Sequence, residues 1–426
     1  MLTVAYLANQ FPSPVEPYVG EEIAELRRRG IGVITGSVRS PGEAEMADVV
    51  LKRAAAGLLM PGLWLCVTGS KRIAPLLARI VLSGRESPWQ RLKALVHTWL
   101  GACYAVRLRD CAVDHIHVHH GYFASWIAMT AARLLDAEFS VTLHGSDLLL
   151  NGSYLDVKLA HCKFCLTISE YNRNYILKKF PHVDPQKIIV ARLGVEVVER
   201  KVLETSANKC DSLNLLAVGR LHAVKDHAFL LRACAQLRVQ RLEFSCRIVG
   251  EGPERRTLQR LILQSGLQNQ VTLLGHRARK YLDPLYDAAD AVVLTSRSEG
   301  IPLVLMEAMA RGKIVVAPAI TGIPELVIPG LTGFLYQPGS VSDFVAHLQL
   351  VDCLKRSSRL CHQPDTPCDG SEAPSFLERM QRDAIEQIRR NFDRARNLEK
   401  FGDVFIQRAS SSHKSRPDAN LILQQI

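Results

Sequence analysis

The sequence predicts an α/β protein with two consecutive parallel-sheet domains, and three observations carry that reading. The chain opens as strand, helix, strand: Leu2 to Leu7 is apolar, Glu16 to Arg29 amphipathic, and Gly30 to Ile34 apolar again. That is a β-α-β unit, which implies a parallel sheet. Glu196 to Ser212 is polar and aperiodic, and Leu213 to Val218 then restarts the pattern with a strand. Finally, Ala291 to Leu294 is a short unbroken apolar run of the kind a strand buried on both faces needs. It feeds a polar loop and then a helix marked by Pro302 and by Leu305, Met306 and Met309 at helical spacing.

In order along the chain, the loop Asn9 to Pro14 follows the first strand. Residues 54–108 alternate apolar and basic residues and predict helices, which either cover the sheet or lie on a membrane surface as basic amphipathic helices do. His115 to His120 has the alternation of a strand, placing His115, His117 and His119 on one face and Asp114 on the other. Three histidines on one face could suggest a metal site, but the adjacent Asp114 would point away from them, so a metal is not the preferred reading. A helix over Ala124 to Leu135 leads to a strand, Phe139 to Leu143, which ends in His144-Gly-Ser-Asp147. A histidine and a glycine at a strand's carboxyl end suit a substrate site, whereas the plainer reading makes Asp147 a helix cap. Leu166 to Ser169 and Ile188 to Val190 are further strands.

The second domain repeats the scheme. Gly219 to Asp226 forms a loop and Ala228 to Leu237 a helix; Phe244 to Val249, Val271 to Leu274 and Ile314 to Ala317 are strands. Residues 354–374 are polar and proline-bearing and predict an irregular excursion, and two helices, Phe376 to Arg390 and Ala395 to Ile406, precede a tail. The expected division is residues 1–196, a linker 197–212, residues 213–393, a crossover helix 394–410 and a tail 411–426.

Composition narrows the function. The 426 residues carry a formal charge of +11, dispersed rather than gathered into an aromatic-interleaved basic module, so nucleic acid is not an expected partner. Phosphate-rich ligands or a membrane surface fit the charge better. No run reaches the length of a membrane span, and Met1 to Leu7 starts as a strand without a basic region or cleavage site, so the expected compartment is the cytosol. The 11 cysteines do not suggest a disulfide framework, and Cys162-x-x-Cys165 is read as core thiols.

The chemistry is expected at the carboxyl ends of the strands. A strand feeding a loop into a helix N-terminus offers free amides and a helix dipole to an anion. Glu299 and Glu307 flank such a place and could hold hydroxyls on both sides of a bound phosphate; the plainer reading is a cap and a solvated charge. Arg220 and Lys225 lie on the first loop of the second domain, where two cations suit a diphosphate. No Asp-x-Asp pair lies near a strand end, so no metal is expected, and leaving-group charge falls to Arg220, Lys225 and the amides near Gly300 to Leu303.

These motifs, taken in order, resemble a known family. Val218-Gly-Arg-Leu-His-Ala-Val-Lys225, Ile248 to Glu254, Val271 to Gly275, Tyr286 to Asp290, Ser298-Glu-Gly-Ile-Pro302 with Glu307 to Ala310, and Gly322 to Leu326 with Gly330 to Phe334 are similar to the nucleotide-sugar half of the retaining glycosyltransferases of family four. Gln10-Phe-Pro, Glu21-Glu-Ile, His119 and His144-Gly-Ser-Asp147 look like the subset that builds exopolysaccharides of the colanic-acid type. The resemblance implies a GT-B fold, with two Rossmann-like domains facing across a cleft and a last helix crossing back to the first. It also implies transfer of a hexose from a nucleotide sugar to a glycan or lipid-linked glycan acceptor, with no cofactor. Arg220 and Lys225 would bind the donor diphosphate, and Glu299 the hydroxyls of the transferred sugar. Gly300, Ile301 and Pro302 would meet phosphate, Glu307 the ribose, and backbone atoms from Gly275 through His276 to Arg277 the base; His144 would face the sugar. Many members carry a Gly-Gly pair where this chain has Phe11-Pro-Ser-Pro14. The readings kept beside it are a sugar-nucleotide epimerase-like enzyme of two Rossmann domains and a non-catalytic protein binding glycan or a membrane surface.

Overall fold

The computed structural model describes residues 2–13, 16–39, 47–54, 57–82, 86–150, 152–197, 212–360 and 375–410. The chain divides into two compact units, one formed by residues 1–168, 173–191 and 398–426, the other by residues 169–172 and 192–397. Most of the expected linker (198–211), most of the polar excursion (361–374), Pro14 and the tail lie outside the described residues.

The first unit contains β1 (Thr3–Ala8), α1 (Pro17–Arg28), β2 (Gly32–Ser37), β3 (Val49–Val50), α2 (Leu51–Ala54), α3 (Leu59–Thr68), α4 (Ser70–Val81) and α5 (Pro88–Leu108). It continues with β4 (His115–His119), α6 (Phe123–Leu135), β5 (Glu138–Leu143), α7 (Ser146–Leu149), α8 (Leu155–His161), β6 (Phe164–Thr167), α9 (Glu170–Lys179, in this unit from Arg173) and β7 (Ile188–Val190). Its seven strands run in the order β3-β2-β1-β4-β5-β6-β7, every pairing parallel. A sheet covered on both faces needs apolar residues at successive positions rather than at alternate ones. Val4 to Ala8 and Phe164 to Leu166 are accordingly buried without interruption.

The second unit contains β8 (Leu213–Val218), α10 (His227–Val239), β9 (Phe244–Val249), α11 (Arg255–Gln264), β10 (Val271–Gly275), α12 (Asp283–Ala288), β11 (Ala291–Val293) and α13 (Leu303–Ala310). Then follow β12 (Ile314–Pro318), α14 (Ile323–Leu326), β13 (Phe334–Tyr336), α15 (Val341–Leu360), α16 (Phe376–Asn391) and α17 (Arg394–Ser410). Six parallel strands run in the order β10-β9-β8-β11-β12-β13. Local signals agree with these elements: the Asp226 side chain accepts from the Phe229 amide at 3.1 Å and caps α10, and Ser375 with Glu378 forms a capping box on α16.

Helix α17 starts in the second unit and from Leu398 belongs to the first. There Phe401 and Phe405 pack with Leu2, Val4, Tyr6 and Phe164, and Arg29 pairs with Asp403 at 2.5 Å. This is the crossing-back helix the sequence predicts.

One local expectation is corrected. Residues 354–360 are not irregular but form the last two turns of α15. Their polarity misleads because Lys355 is nearly buried and donates to Asp290 at 2.6 Å and to the Ser212 carbonyl at 2.8 Å. A paired lysine there replaces the apolar residue that periodicity looks for.

Candidate active site

In a parallel open sheet, ligands bind beyond the carboxyl ends of the strands, at the point where strand order reverses. In the second unit that point lies between β8 and β11. The loop after β8 carries Arg220 and Lys225; the loop after β11 carries Glu299. Hydrogen bonds lace the two together: the Arg297 amide donates to the Val224 carbonyl at 2.8 Å and the Thr295 hydroxyl to the Lys225 carbonyl at 3.0 Å. Lys225 Nζ meets Glu299 Oε1 at 2.5 Å, with both side chains mostly covered. Arg297 holds Asp226 at 2.7 Å, and the Thr321 hydroxyl donates to the Glu299 carbonyl at 2.7 Å, fixing the loop from its far side.

Glycines let these strand ends come close. A Cβ on Gly250, at φ +147°, would stand 1.9 Å from the Gly219 carbonyl oxygen, and one on Gly252 would stand 2.3 Å from that of Leu221. The Gly250 amide in turn donates to the Gly275 carbonyl at 2.9 Å. The ends of β8, β9 and β10 therefore form one backbone ledge, with Arg220, His276 and Arg277 exposed along it.

Pro302 is the cap of α13, whose first turn leaves amides without intrahelical partners. Ile301 and Pro302 are buried and Gly300 is half-buried. Glu307, on α13, accepts from the Tyr286 hydroxyl at 2.9 Å and pairs with Arg279 at 3.2 Å. It is thus not the solvated surface charge of the plainer reading. Burial and the Glu307 charge raise the Tyr286 phenol well above its ordinary value, so it stays a donor. Sequence reasoning gave no role to Tyr286, Arg279 or Thr321; each acts through a partner distant in sequence.

His144 belongs to the first unit. It is buried at the end of β5, and its Nε2 lies 2.8 Å from His119 Nδ1. His119 Nε2 in turn lies 2.8 Å from the Tyr6 hydroxyl and 3.1 Å from Glu22, and Tyr6 also donates to Glu22. Burial, with the charges of His120 and His119, holds the His144 imidazole well below its ordinary value, so it is neutral. Asp147 is not a simple helix cap. It accepts from the amides of Gly121 and Gly145, both at 2.8 Å, and of His144 at 3.1 Å. Burial opposes its charge, but the His120 imidazole 3.7 Å away and the Gly121 amide outweigh it and hold the carboxyl below the usual carboxylate range. His120 bonds Glu16 at 2.8 Å.

Glu22, His117 and His119 bring ligand-type atoms within 4.8 Å of one another, a grouping the strand alternation could not show because Glu22 comes from α1. Each donor already has a partner here: His117 bonds Ser140 at 2.7 Å and Thr142 at 3.0 Å, and His119 bonds His144 and Tyr6. Cys162 and Cys165 are buried free thiols.

The structural comparisons identify the architecture. The chain is similar to sucrose-phosphate synthase from Thermosynechococcus elongatus (TM-score 0.70, 17% identity, 97% of this chain and 100% of that one). It is also similar to the apo lipopolysaccharide outer core galactosyltransferase WaaB (TM-score 0.64, 18% identity, 95% of this chain and 99% of that one). These likenesses define a GT-B fold of two Rossmann-like domains. The family model described as Glycosyltransferase Family 4 matches residues 15–199, and that described as Glycosyl transferases group 1 matches residues 200–357. The chain belongs to the glycosyltransferase family that these two models describe.

Among sequence relatives, the putative colanic acid biosynthesis glycosyltransferase WcaL of Salmonella typhimurium is 35% identical over 170 residues, 38% of this chain and 42% of that protein. The amylovoran biosynthesis glycosyltransferase AmsK of Erwinia amylovora is 29% identical over 263 residues, 58% of this chain and 64% of that protein. In both cases the match spans less than two thirds of the relative's length.

Proposed function

We propose that this protein transfers a hexose, with retention of anomeric configuration and without a metal, from a nucleoside-diphosphate sugar to a glycan or lipid-linked glycan in surface polysaccharide biosynthesis. The observation that carries the proposal is the contact of Lys225 with Glu299 across the switch point of the second sheet. The names of the WcaL and AmsK relatives supply the polysaccharide context. An Anabaena protein of similar fold (TM-score 0.65, 16% identity), HepE, was solved in complex with UDP and glucose, a ligand pair of the class proposed here.

In this reading Lys225, Arg220 and the first amides of α13 take up the charge that develops on the departing diphosphate, as preorganised donors do elsewhere. Glu299 accepts from hydroxyls of the transferred sugar, and Glu307 from the ribose. The bond from the anomeric carbon to the phosphate oxygen breaks, a bond to the acceptor oxygen forms on the same face, and the acceptor proton passes to the departing phosphate. His144, neutral, offers a hydrogen bond without adding charge.

The test mixes candidate nucleotide sugars with acceptor glycans and follows free nucleoside diphosphate and the product's anomeric configuration. Release that depends on acceptor, retention, and indifference to chelator support the proposal. An inverted product, conversion of donor without acceptor, or abolition by chelator would each overturn the part it addresses.

A further inference from the structure

Helix α3 is unlike an ordinary surface helix. Its ten residues, Leu59–Thr68, carry no charge, and only Gly62 is buried. Gly62 is its seat on α5: a Cβ there would stand 2.7 Å from Cys103 Sγ. With the small residue turned inward, the large ones face out, and Met60 is 71% and Trp64 68% exposed. The first half of α5 behaves in the same way. Ala94 and Thr98 are buried, whereas Trp89, Leu92, Leu95 and Val96 are exposed. The two faces adjoin, because Trp99, one turn after Leu95, reaches the Leu59 carbonyl at 3.5 Å. An exposed apolar face of this extent marks an interaction site.

Charge identifies the occupant. Residues 51–100 contain eight Lys and Arg and a single acid, Glu86, and Glu86 is held by Arg79 at 2.9 Å. Lys71 and Lys93 are exposed and have no ion pair among the described residues, and Lys93 Nζ lies 5.3 Å over the ring of Trp89. An aromatic ring with a lysine stem above it is an arrangement suited to the boundary between acyl chains and headgroups. A second copy of the chain would set this cationic rim against itself, whereas anionic headgroups complement it. At ten residues α3 is about 15 Å long, against roughly 30 Å for a bilayer core. No described helix is long and apolar enough to cross a membrane.

We infer that α3 and the N-terminal half of α5 form a docking face that lies in the surface of an anionic phospholipid bilayer, with Trp64 and Trp89 inserted and Lys71 and Lys93 on headgroups.

Flotation of the full chain with vesicles tests this without donor or acceptor, so it is independent of the proposed glycosyl transfer. Binding is expected to vesicles of phosphatidylcholine mixed with phosphatidylglycerol, weaker in high salt and much weaker to phosphatidylcholine alone. Trp64→Ser with Trp89→Ser should lower that binding at least about tenfold while leaving the circular dichroism spectrum unchanged. Lys71→Glu with Lys93→Glu should abolish the preference for anionic lipid. In the wild type, brominated lipid should quench tryptophan fluorescence. Failure of the wild type to float with anionic vesicles, full binding by the tryptophan variant, or a dimer that this variant dissociates would overturn the inference.

Discussion

Lys225 and Glu299 come from loops on opposite sides of the strand-order reversal in the second sheet and touch at 2.5 Å. They are 74 positions apart in sequence, and the laced loops beneath them leave little freedom to separate. Such a pair acts as a unit. Each holds the other in place, and under the proposed function that place receives a diphosphate oxygen and a sugar hydroxyl.

Lys225→Ala and Glu299→Ala should each lower turnover by about 100-fold or more, the size expected when a preorganised charged group is lost. The double variant should lose little beyond the worse single one, because effects within one unit are not additive. Steady-state rates of the three variants check this, with melting temperatures to separate chemistry from stability. Wild-type-like turnover in either single variant would remove the pair from the site.

Glu307 is oriented by Tyr286 and Arg279. Tyr286→Phe deletes one hydrogen bond without changing shape, a loss of roughly 1 kcal/mol, or about fivefold in an equilibrium constant. The expected outcome is a donor KM several-fold higher with kcat nearly unchanged, since Glu307 is assigned to binding rather than to the reacting bond. A fall confined to kcat would place Glu307 elsewhere in the reaction.

The glycine ledge makes a prediction with its own control. Gly250→Ala drives a Cβ into the Gly219 carbonyl at 1.9 Å and must displace the loop that carries Arg220 and Lys225. Gly330 is also left-handed, at φ +74°, but has nothing within 4 Å of its Cβ position. Gly330→Ala should therefore cost only backbone strain, about 1–2 kcal/mol. Gly250→Ala should cost clearly more and weaken nucleotide binding too. Denaturant titration and nucleotide titration of both variants decide it.

What was legible in the sequence follows from what is local. Ala291–Val293 could be read because a strand buried on both faces leaves a continuous apolar run. The position of the Lys225 and Glu299 loops could be anticipated because both follow strands at the carboxyl edge of one parallel sheet. Glu22 could not: within α1 it looks like any helix carboxylate, and only folding sets it against Tyr6 and His119. The end of α15 is hidden from the sequence for the same reason, since the partner of Lys355, Asp290, lies 65 positions away. Asp147 looked like a cap because its local bonds resemble one; its bond to the Gly121 amide, across two strand ends, is a tertiary fact.

His120 gives a prediction about pH. It sits at φ +69°, a left-handed conformation that an L residue adopts at a cost, and it contacts two carboxylates, Glu16 at 2.8 Å and Asp147 at 3.7 Å. Burial works against its charge, but the nearby carboxylate of Asp147 and the hydrogen bond and charge of Glu16 outweigh it and push the imidazole from 6.5 up to about 9. A group with a raised folded pKa contributes stability that is complete below its unfolded value of 6.5 and is lost as pH rises through about 9. His120→Gln should therefore destabilise the protein by several kcal/mol near pH 6, and the difference from wild type should shrink from about pH 6.5 upward and be mostly gone once pH reaches about 9. Taking the difference between two proteins at each pH removes the other groups that titrate alike in both, including Lys158, which burial brings down to about 7. Denaturant unfolding of the pair from pH 6 to pH 10 measures it. A gap that stays constant would mean that His120 is held by shape alone and that its proton contributes nothing.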